Sequence, residues 1–510
     1  MRVPRASWAC GLFLLLTGAL VWSVPSWAAE EAGKDKKAEA PAPEDKTVTT
    51  EHAITLGGKK LEYRTTAGHY VLKDEEGKAK ATVFFVAYTL AGKPPGERPV
   101  TFSFNGGPGA AAVWVHLGAF GPKKVAMTDE GWALPPPGRL VENEFTVLPE
   151  TDLVFIDPVS TGYSRPAPGE DRAQFHGVQE DVESVGEFIR LWVSRNGRWG
   201  SPKFLAGESY GTTRAAGLAA HLQERHGMYL NGLVLLSSVL NWQNQEFRVG
   251  NDIPYIIHVP TYTATAWYHK KLPPELQNGD LRRALEESEK FARGEYALAL
   301  LQGDSLSAAD RRRMAEKLAR LTGVSVEFVE RVDLRLELFR YLKELLRAEG
   351  KTVGRLDSRF TGFDLDDAGE YPEFDPSMPA VSVGYVALLN DYLRRELGYE
   401  NDLPYESLSS KVWPWKFGEG QGFPNLAEQL RGAITRNPSL KVLIASGYYD
   451  FATPYFDAMF TVDHMGLPET LRGNVSIELY EAGHMMYIRK ADHKKLRDDM
   501  AAFIREAVGK

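Results

Sequence analysis

The residues from which this chain could build covalent chemistry are Ser209 in Gly207-Glu208-Ser209-Tyr210-Gly211, Asp450 in Gly447-Tyr448-Tyr449-Asp450-Phe451, and His484 in Ala482-Gly483-His484-Met485. A serine hydroxyl becomes a nucleophile when a base takes its proton, and the base needs an acid behind it to fix its tautomer and stabilise the imidazolium. The chemistry on offer is acyl transfer through a serine ester. On a sheet with crossover helices such a triad runs in the chain order Ser, Asp or Glu, His. His464, His484 and His493 lie late enough to work with an acid placed after the apolar run Lys441-Val442-Leu443-Ile444. Of these, His484 occupies a loop between the strand-like Val475 to Tyr480 and a terminal helix. His464 and His493 fall in helices, His493 among lysines, and both read as surface residues. Asp450 directly follows its strand, whereas Asp457 and Asp463 fall on the next helix.

These side chains need particular elements to present them. Ser209 follows the strand-like Lys203-Phe204-Leu205-Ala206 and precedes a helix from Thr212 to Glu224 with small and apolar residues such as Ala215, Ala216, Leu218 and Leu222. Glycines on both sides of a serine between strand and helix permit a turn tight enough to expose its hydroxyl above the sheet. Phe104-Asn105-Gly106-Gly107-Pro108-Gly109 ends a second strand in a glycine-rich loop whose N–H groups could meet an oxyanion. A phosphate cradle is the rival reading, but no lysine follows in Walker fashion and no dinucleotide pattern is complete.

Short apolar runs at Val100–Phe104, Asp152–Ile156, Gly232–Leu236 and Lys441–Ile444 suit a parallel sheet covered on both faces. An antiparallel meander opens the fold between Ile54 and Ala91, and a helix from Val182 to Val193 lies between strands. Between about Asn241 and Gly432 the pattern turns helical, with helices expected over Leu281 to Leu301, Ala308 to Leu321 and Val326 to Glu349. The acidic run Asp364-Leu365-Asp366-Asp367-Ala368-Gly369 lacks the closing glutamate of a calcium loop and reads as a solvated loop.

A net charge of −8, with 43% hydrophobic and 25% charged residues, fits a globular protein and argues against nucleic acid as the partner. Arg2 and Arg5, the apolar Gly11 to Trp22 and the small-residue site Ser26-Trp27-Ala28 read as a secretory signal peptide cleaved near Ala28 or Ala29. The apolar run is short for a stable membrane span. The single cysteine, Cys10, would leave with that peptide, so the mature chain would hold no disulfide. A periplasmic or secreted location follows.

Assembled, these motifs resemble the serine carboxypeptidase family of α/β-hydrolases over roughly residues 80 to 240 and 435 to 505. Asn105 to Gly109 matches its Asn-Gly-Gly-Pro-Gly, Gly207 to Tyr210 its Gly-Glu-Ser-Tyr, and Gly483 to Met485 its Gly-His-Met. Asp157-Pro158-Val159-Ser160-Thr161-Gly162-Tyr163-Ser164 approximates a further segment. The resemblance implies nucleophile Ser209, acid Asp450 and base His484, with oxyanion donors from the backbone of Gly107 and Tyr210. It also implies that Asn105, the backbone of Gly106 and the Glu208 side chain hold the substrate's terminal carboxylate. Two close carboxylates require a shared proton, so acid-favoured peptidase activity would follow. One departure matters: Ala119 stands where the family usually carries a second glutamate, with His116 one turn earlier. The family's cysteines near the glycine loop and the acid are replaced by Ala110 and Thr453.

The expected fold is α/β, an α/β-hydrolase with a mixed, mostly parallel sheet flanked by helices and an inserted, mainly helical cap. Its expected parts are a signal peptide (1–29), a flexible linker (30–50), the core in two pieces (51–240 and 433–510) and the cap (241–432). The expected function is a serine carboxypeptidase acting on peptides with a free C-terminal carboxylate, the alternative a serine esterase or acyltransferase of the same fold. This chemistry calls for no metal or organic cofactor, and nothing in the sequence sets an oligomeric state.

Overall fold

Strands that are apolar at every position need cover on both faces, and a strand buried along its whole length is what such runs produce. In the computed structural model, which describes residues 41–418 and 422–509, the strands β1 (Lys46–Leu56), β2 (Lys59–Lys73) and β3 (Ala79–Leu90) are followed by β4 (Val100–Phe104), β5 (Asp152–Ile156), β6 (Lys203–Glu208), β7 (Gly232–Leu236), β8 (Lys441–Gly447) and β9 (Val475–Tyr480). Every residue of β4, β5, β6 and β7 is buried. They form one sheet in the order β1-β2-β3-β5-β4-β6-β7-β8-β9, with the two-residue strand Arg165–Pro166 added beside β3. The meander β1-β2-β3 and its junction with β5 are antiparallel, and all pairings from β5 to β9 are parallel. The segment read as a signal peptide (1–29) and residues 30–40 of the expected linker lie outside the described residues.

The two faces of the sheet carry separate cores. On one, Phe102, Leu205, Leu235 and Ile444 pack with α1 (Val178–Arg195) and α2 (Tyr210–His226). On the other, Phe155, Phe204, Val234 and Leu443 pack with Leu496, Met500 and Phe503 of the C-terminal helix Lys490–Ala507. Alternate residues of each strand thus serve opposite layers, as the two-residue period requires.

Helices fill most of the segment between β7 and β8. Those from α3 (Ile253–Tyr268) to Leu338–Glu344 surround a third core containing Tyr262, Leu285, Leu318 and Tyr341, which Phe451, Tyr455 and Phe456 after β8 also join. Later parts of the insertion return to the sheet. Tyr385, Leu389 and Tyr392 of helix Tyr385–Arg395 join one sheet core, and Leu430 and Ala433 of helix Leu426–Arg436 join the other.

Three local expectations need correction. β1 begins at Lys46, inside the stretch read as linker, and pairs residue for residue with β2; its exposed face is polar, so it carries little apolar alternation. The single helix expected over Val326 to Glu349 is broken into Val326–Arg331 and Leu338–Glu344. Asp333 and Leu334 between them adopt φ of 52° and 63°, which turns Leu334 and Leu336 into the core. The acidic run at 364–369 is not merely solvated: buried Lys343 lies 2.6 Å from Asp364 and 3.4 Å from Asp367.

Candidate active site

In sheets of this kind sites form outside the carboxyl ends of the strands, where strand order reverses. Here the reversal is at β4, flanked by β5 and β6. Phe104 is level with Gly207, Leu236 with Glu208 and with Ala445, and Gly447 with Tyr480. The loops after β4, β6, β8 and β9 therefore start at one height. They carry Asn105 to Gly109, Ser209, Asp450 and His484 respectively.

Ser209 is half-buried, with φ 60° and ψ −130°, a strained conformation for a residue with a side chain. Holding it costs about 1–3 kcal/mol. Its N–H donates to the Leu236 carbonyl at 2.9 Å, and its carbonyl accepts from the Thr212 N–H at 2.8 Å. The flanking glycines are needed for space: a Cβ on Gly207 would stand 2.2 Å from the Gly211 oxygen. The glycine loop lies directly against this turn, since a Cβ on Gly106 would stand 2.4 Å from the Tyr210 nitrogen. Tyr210 opens α2, so its N–H has no acceptor within the helix and lies at the positive end of the helix dipole. Among the described residues the Gly107 N–H has no protein acceptor either. Arg214 of α2 holds the loop in place, donating to the Asn105 carbonyl at 2.7 Å while paired with buried Asp181 at 2.7 Å.

His484 and Asp450 meet on the other side of the elbow. Nδ1 of His484 donates to Oδ2 of Asp450 at 2.8 Å. The carboxylate also accepts from the Thr453 hydroxyl at 2.7 Å and from the N–H groups of Ala452 and Thr453 at 2.8 and 3.0 Å. Burial pulls the His484 imidazole down, but the charge and hydrogen bond of Asp450 outweigh it, and the net shift is upward. The loop is clamped by its neighbours. The His484 carbonyl accepts from the Ser237 hydroxyl at 2.7 Å, and its N–H donates to the Leu356 carbonyl at 2.6 Å. Asp457 is engaged elsewhere, by Asn244 and Gln245, and Asp463 lies by Arg293.

Glu208 is 1% exposed and accepts from Asn105 Nδ2 at 2.7 Å. Burial raises its pKa, so the carboxyl holds a proton more readily than a free glutamate does. Asn105 is oriented by the Val115 N–H, which donates to its Oδ1 at 3.1 Å. Ala119 lies in a π-helical turn, Val115–Phe120, and contributes only its carbonyl, taken by Asn143 and by His493 Nε2 at 2.7 Å. His493 is thus no surface residue: it shares the inward face of its helix with Leu496 and Met500, while Lys494 and Lys495 face out. His116 is no cation, because burial pushes its pKa down to about 3 and its Nε2 bonds the Tyr88 hydroxyl at 2.6 Å.

Tyr385 and Tyr487, not anticipated from the sequence, close this corner. A Cβ on Gly118 would stand 2.6 Å from the Tyr487 ring and 2.9 Å from the Tyr385 hydroxyl. Tyr487 follows His484 by three residues, a spacing that places it in the same loop; Tyr385 comes from the insertion and had no sequence signal. Among the described residues no group of three His, Cys, Asp or Glu could hold a metal ion, and no helix is long and apolar enough to cross a membrane.

The model of the serine carboxypeptidase family matches residues 57–490. Among curated relatives, serine carboxypeptidase-like 5 of Arabidopsis thaliana is 26% identical over 139 residues, covering 26% of this chain and 30% of the relative. Serine carboxypeptidase-like 13 of the same plant is 25% identical over 184 residues, 35% of this chain and 40% of the relative. The chain thus spans between 30% and 40% of the length of these two relatives. Among solved structures, Kex1(delta)p, a prohormone-processing carboxypeptidase from Saccharomyces cerevisiae, superposes with a TM-score of 0.54 at 15% identity, over 87% of this chain and 91% of that one. That likeness fixes the α/β-hydrolase fold.

Proposed function

As this chain belongs to the serine carboxypeptidase family, we propose that it removes residues from the C-termini of peptides through an acyl-enzyme intermediate. The observation that carries the proposal is the hydrogen bond from His484 to Asp450, together with a strained Ser209 at the same end of the sheet whose turn touches the glycine loop. In this reading Ser209 Oγ attacks the scissile carbonyl carbon as its proton passes to Nε2 of His484. The N–H groups of Gly107 and Tyr210 take the negative oxygen, and Asp450 stabilises the imidazolium. The carbon–nitrogen bond then breaks, His484 returns the proton to the leaving amine, and the acyl group stays on Ser209. Water, deprotonated by His484, releases the acid.

The terminal carboxylate of the substrate would rest on Asn105, the Gly106 backbone and Glu208. A buried Glu208 that keeps its proton can donate to a carboxylate instead of repelling it. The substrate is then a peptide with a free C-terminus. Residues 241–432 act as the cap over this site, and the chain works in the periplasm or outside the cell after loss of its leader.

Ala119 favours a second reading, a serine esterase or acyltransferase, because the family's second carboxylate is absent there. The two are separated by offering a blocked dipeptide as free acid, amide and ester. Ser209-dependent release of amino acid from the free acid supports the peptidase. Hydrolysis of the ester alone supports the second reading.

A further inference from the structure

Two tyrosines in the corner of Glu208 have no role in the mechanism above. Glu208, Tyr487 and Tyr385 are buried side by side, 1%, 2% and 1% exposed. Glu208 spends Oε1 on Asn105, while its Oε2 and the Tyr487 hydroxyl lie close together without a well-aligned hydrogen bond to each other or to any other described residue. That hydroxyl faces the Glu208 carboxyl and the Asn105 amide. Buried polar atoms are almost always paired, and one left without a good partner calls for an explanation, such as a role in catalysis or a partner supplied from outside the chain. The wall behind them is built to admit the two rings, because Gly118 leaves no room for a side chain.

We infer that the Tyr487 hydroxyl is a specificity-determining donor to the substrate's terminal carboxylate, completing the pocket that Asn105 and Glu208 begin. The inference rests on the carboxypeptidase reading and deepens it. One carboxylate oxygen takes the Tyr487 O–H, and the other takes the proton of neutral Glu208 and the second N–H of Asn105. Tyr385 packs behind Tyr487 and holds the ring against Gly118. A phenol is suited to this task, since it donates a hydrogen bond without bringing a second negative charge. The pocket therefore has one carboxyl to keep protonated, not two.

The test is Tyr487→Phe, which keeps the ring and removes the donor, with thermal denaturation confirming that the variant folds. Steady-state rates are measured on a blocked dipeptide as free acid and as C-terminal ester. In parallel, calorimetry compares the binding of a blocked amino acid and of its amide to Ser209→Ala protein with and without Tyr487→Phe. The expected result is KM for the free acid raised about tenfold or more, the size of one lost hydrogen bond to a charged group. Its kcat stays within about threefold, the ester is unaffected, and the preference for acid over amide falls by the same factor. Unchanged KM for the free acid, or an equal loss on acid and ester, overturns the inference while leaving Ser209-dependent peptidase activity and the proposed function intact. Conversely, if wild-type protein releases no amino acid but acid-over-amide binding still depends on Tyr487, the pocket stands and the peptidase reading falls.

Discussion

The backbone N–H of His484 donates to the carbonyl of Leu356 at 2.6 Å, so the loop of the proposed base is fastened to the insertion and not only to the sheet. The next residue repeats the link. Asp357 Oδ2 accepts from the Gly483 N–H at 3.0 Å and pairs with Arg359 at 2.6 Å, both side chains being buried. One residue earlier, the Arg355 carbonyl accepts from the Phe451 N–H at 3.0 Å. Residues 355–357 thus bridge the loops of the proposed acid and base, so the insertion helps to position both.

Asp357→Ala should be costly for that reason. It leaves the Arg359 guanidinium buried without its main partner and frees the Gly483 N–H. Breaking a buried pair costs about 3–5 kcal/mol. Chemical denaturation should show a loss of that order, and kcat should fall more than KM rises, because the base is misplaced while the carboxylate pocket remains.

Thr453→Val tests the support of the acid. The Thr453 hydroxyl donates to Asp450 Oδ2 at 2.7 Å and lies 3.3 Å from His484 Nδ1. Its removal deprives a buried carboxylate of one donor and should cost about 1–3 kcal/mol in stability. Because Asp450 then holds the imidazolium in a looser frame, kcat should drop about tenfold with little change in KM.

The pH dependence should differ between substrates. His484 must be neutral to accept the Ser209 proton, and its pKa is raised, so activity on any substrate should climb with pH through a value above 6.5. Glu208 has a raised pKa as well, and it must carry a proton to receive a carboxylate. Binding of free-acid peptides should therefore weaken as pH rises through that pKa, while ester binding does not. Profiles of kcat/KM should place the optimum for peptides at lower pH than for esters; coincident optima would count against a protonated Glu208.

Much of the fold was legible because the strands are apolar at every position and the elbow is bounded by glycines that no larger residue could replace. The order of strand, loop and helix also separated His484 and Asp450 from their competitors, which the structure engages elsewhere. What escaped the sequence did so for physical reasons. β1 has a polar outer face and shows no clear alternation. The break at Asp333 and Leu334 occurs at non-glycine residues in left-handed conformations, which no local signal announces. His493 looked exposed because its immediate neighbours are lysines, although its spacing from Leu496 and Met500 is that of a buried face. Tyr385 is more than 170 residues from Ser209 in the chain, and the fold, not any local pattern, brings its hydroxyl against Gly118.

Carboxypeptidase activity through Ser209 is checked by release of the C-terminal amino acid from a blocked dipeptide by wild-type protein and by Ser209→Ala. The wild type should release it from the free acid, and the variant should lose at least about a thousandfold, since removing the nucleophile disables the triad as a unit. Undiminished release by Ser209→Ala would contradict this assignment, as would a wild-type protein that cleaves the ester but leaves the free-acid peptide intact.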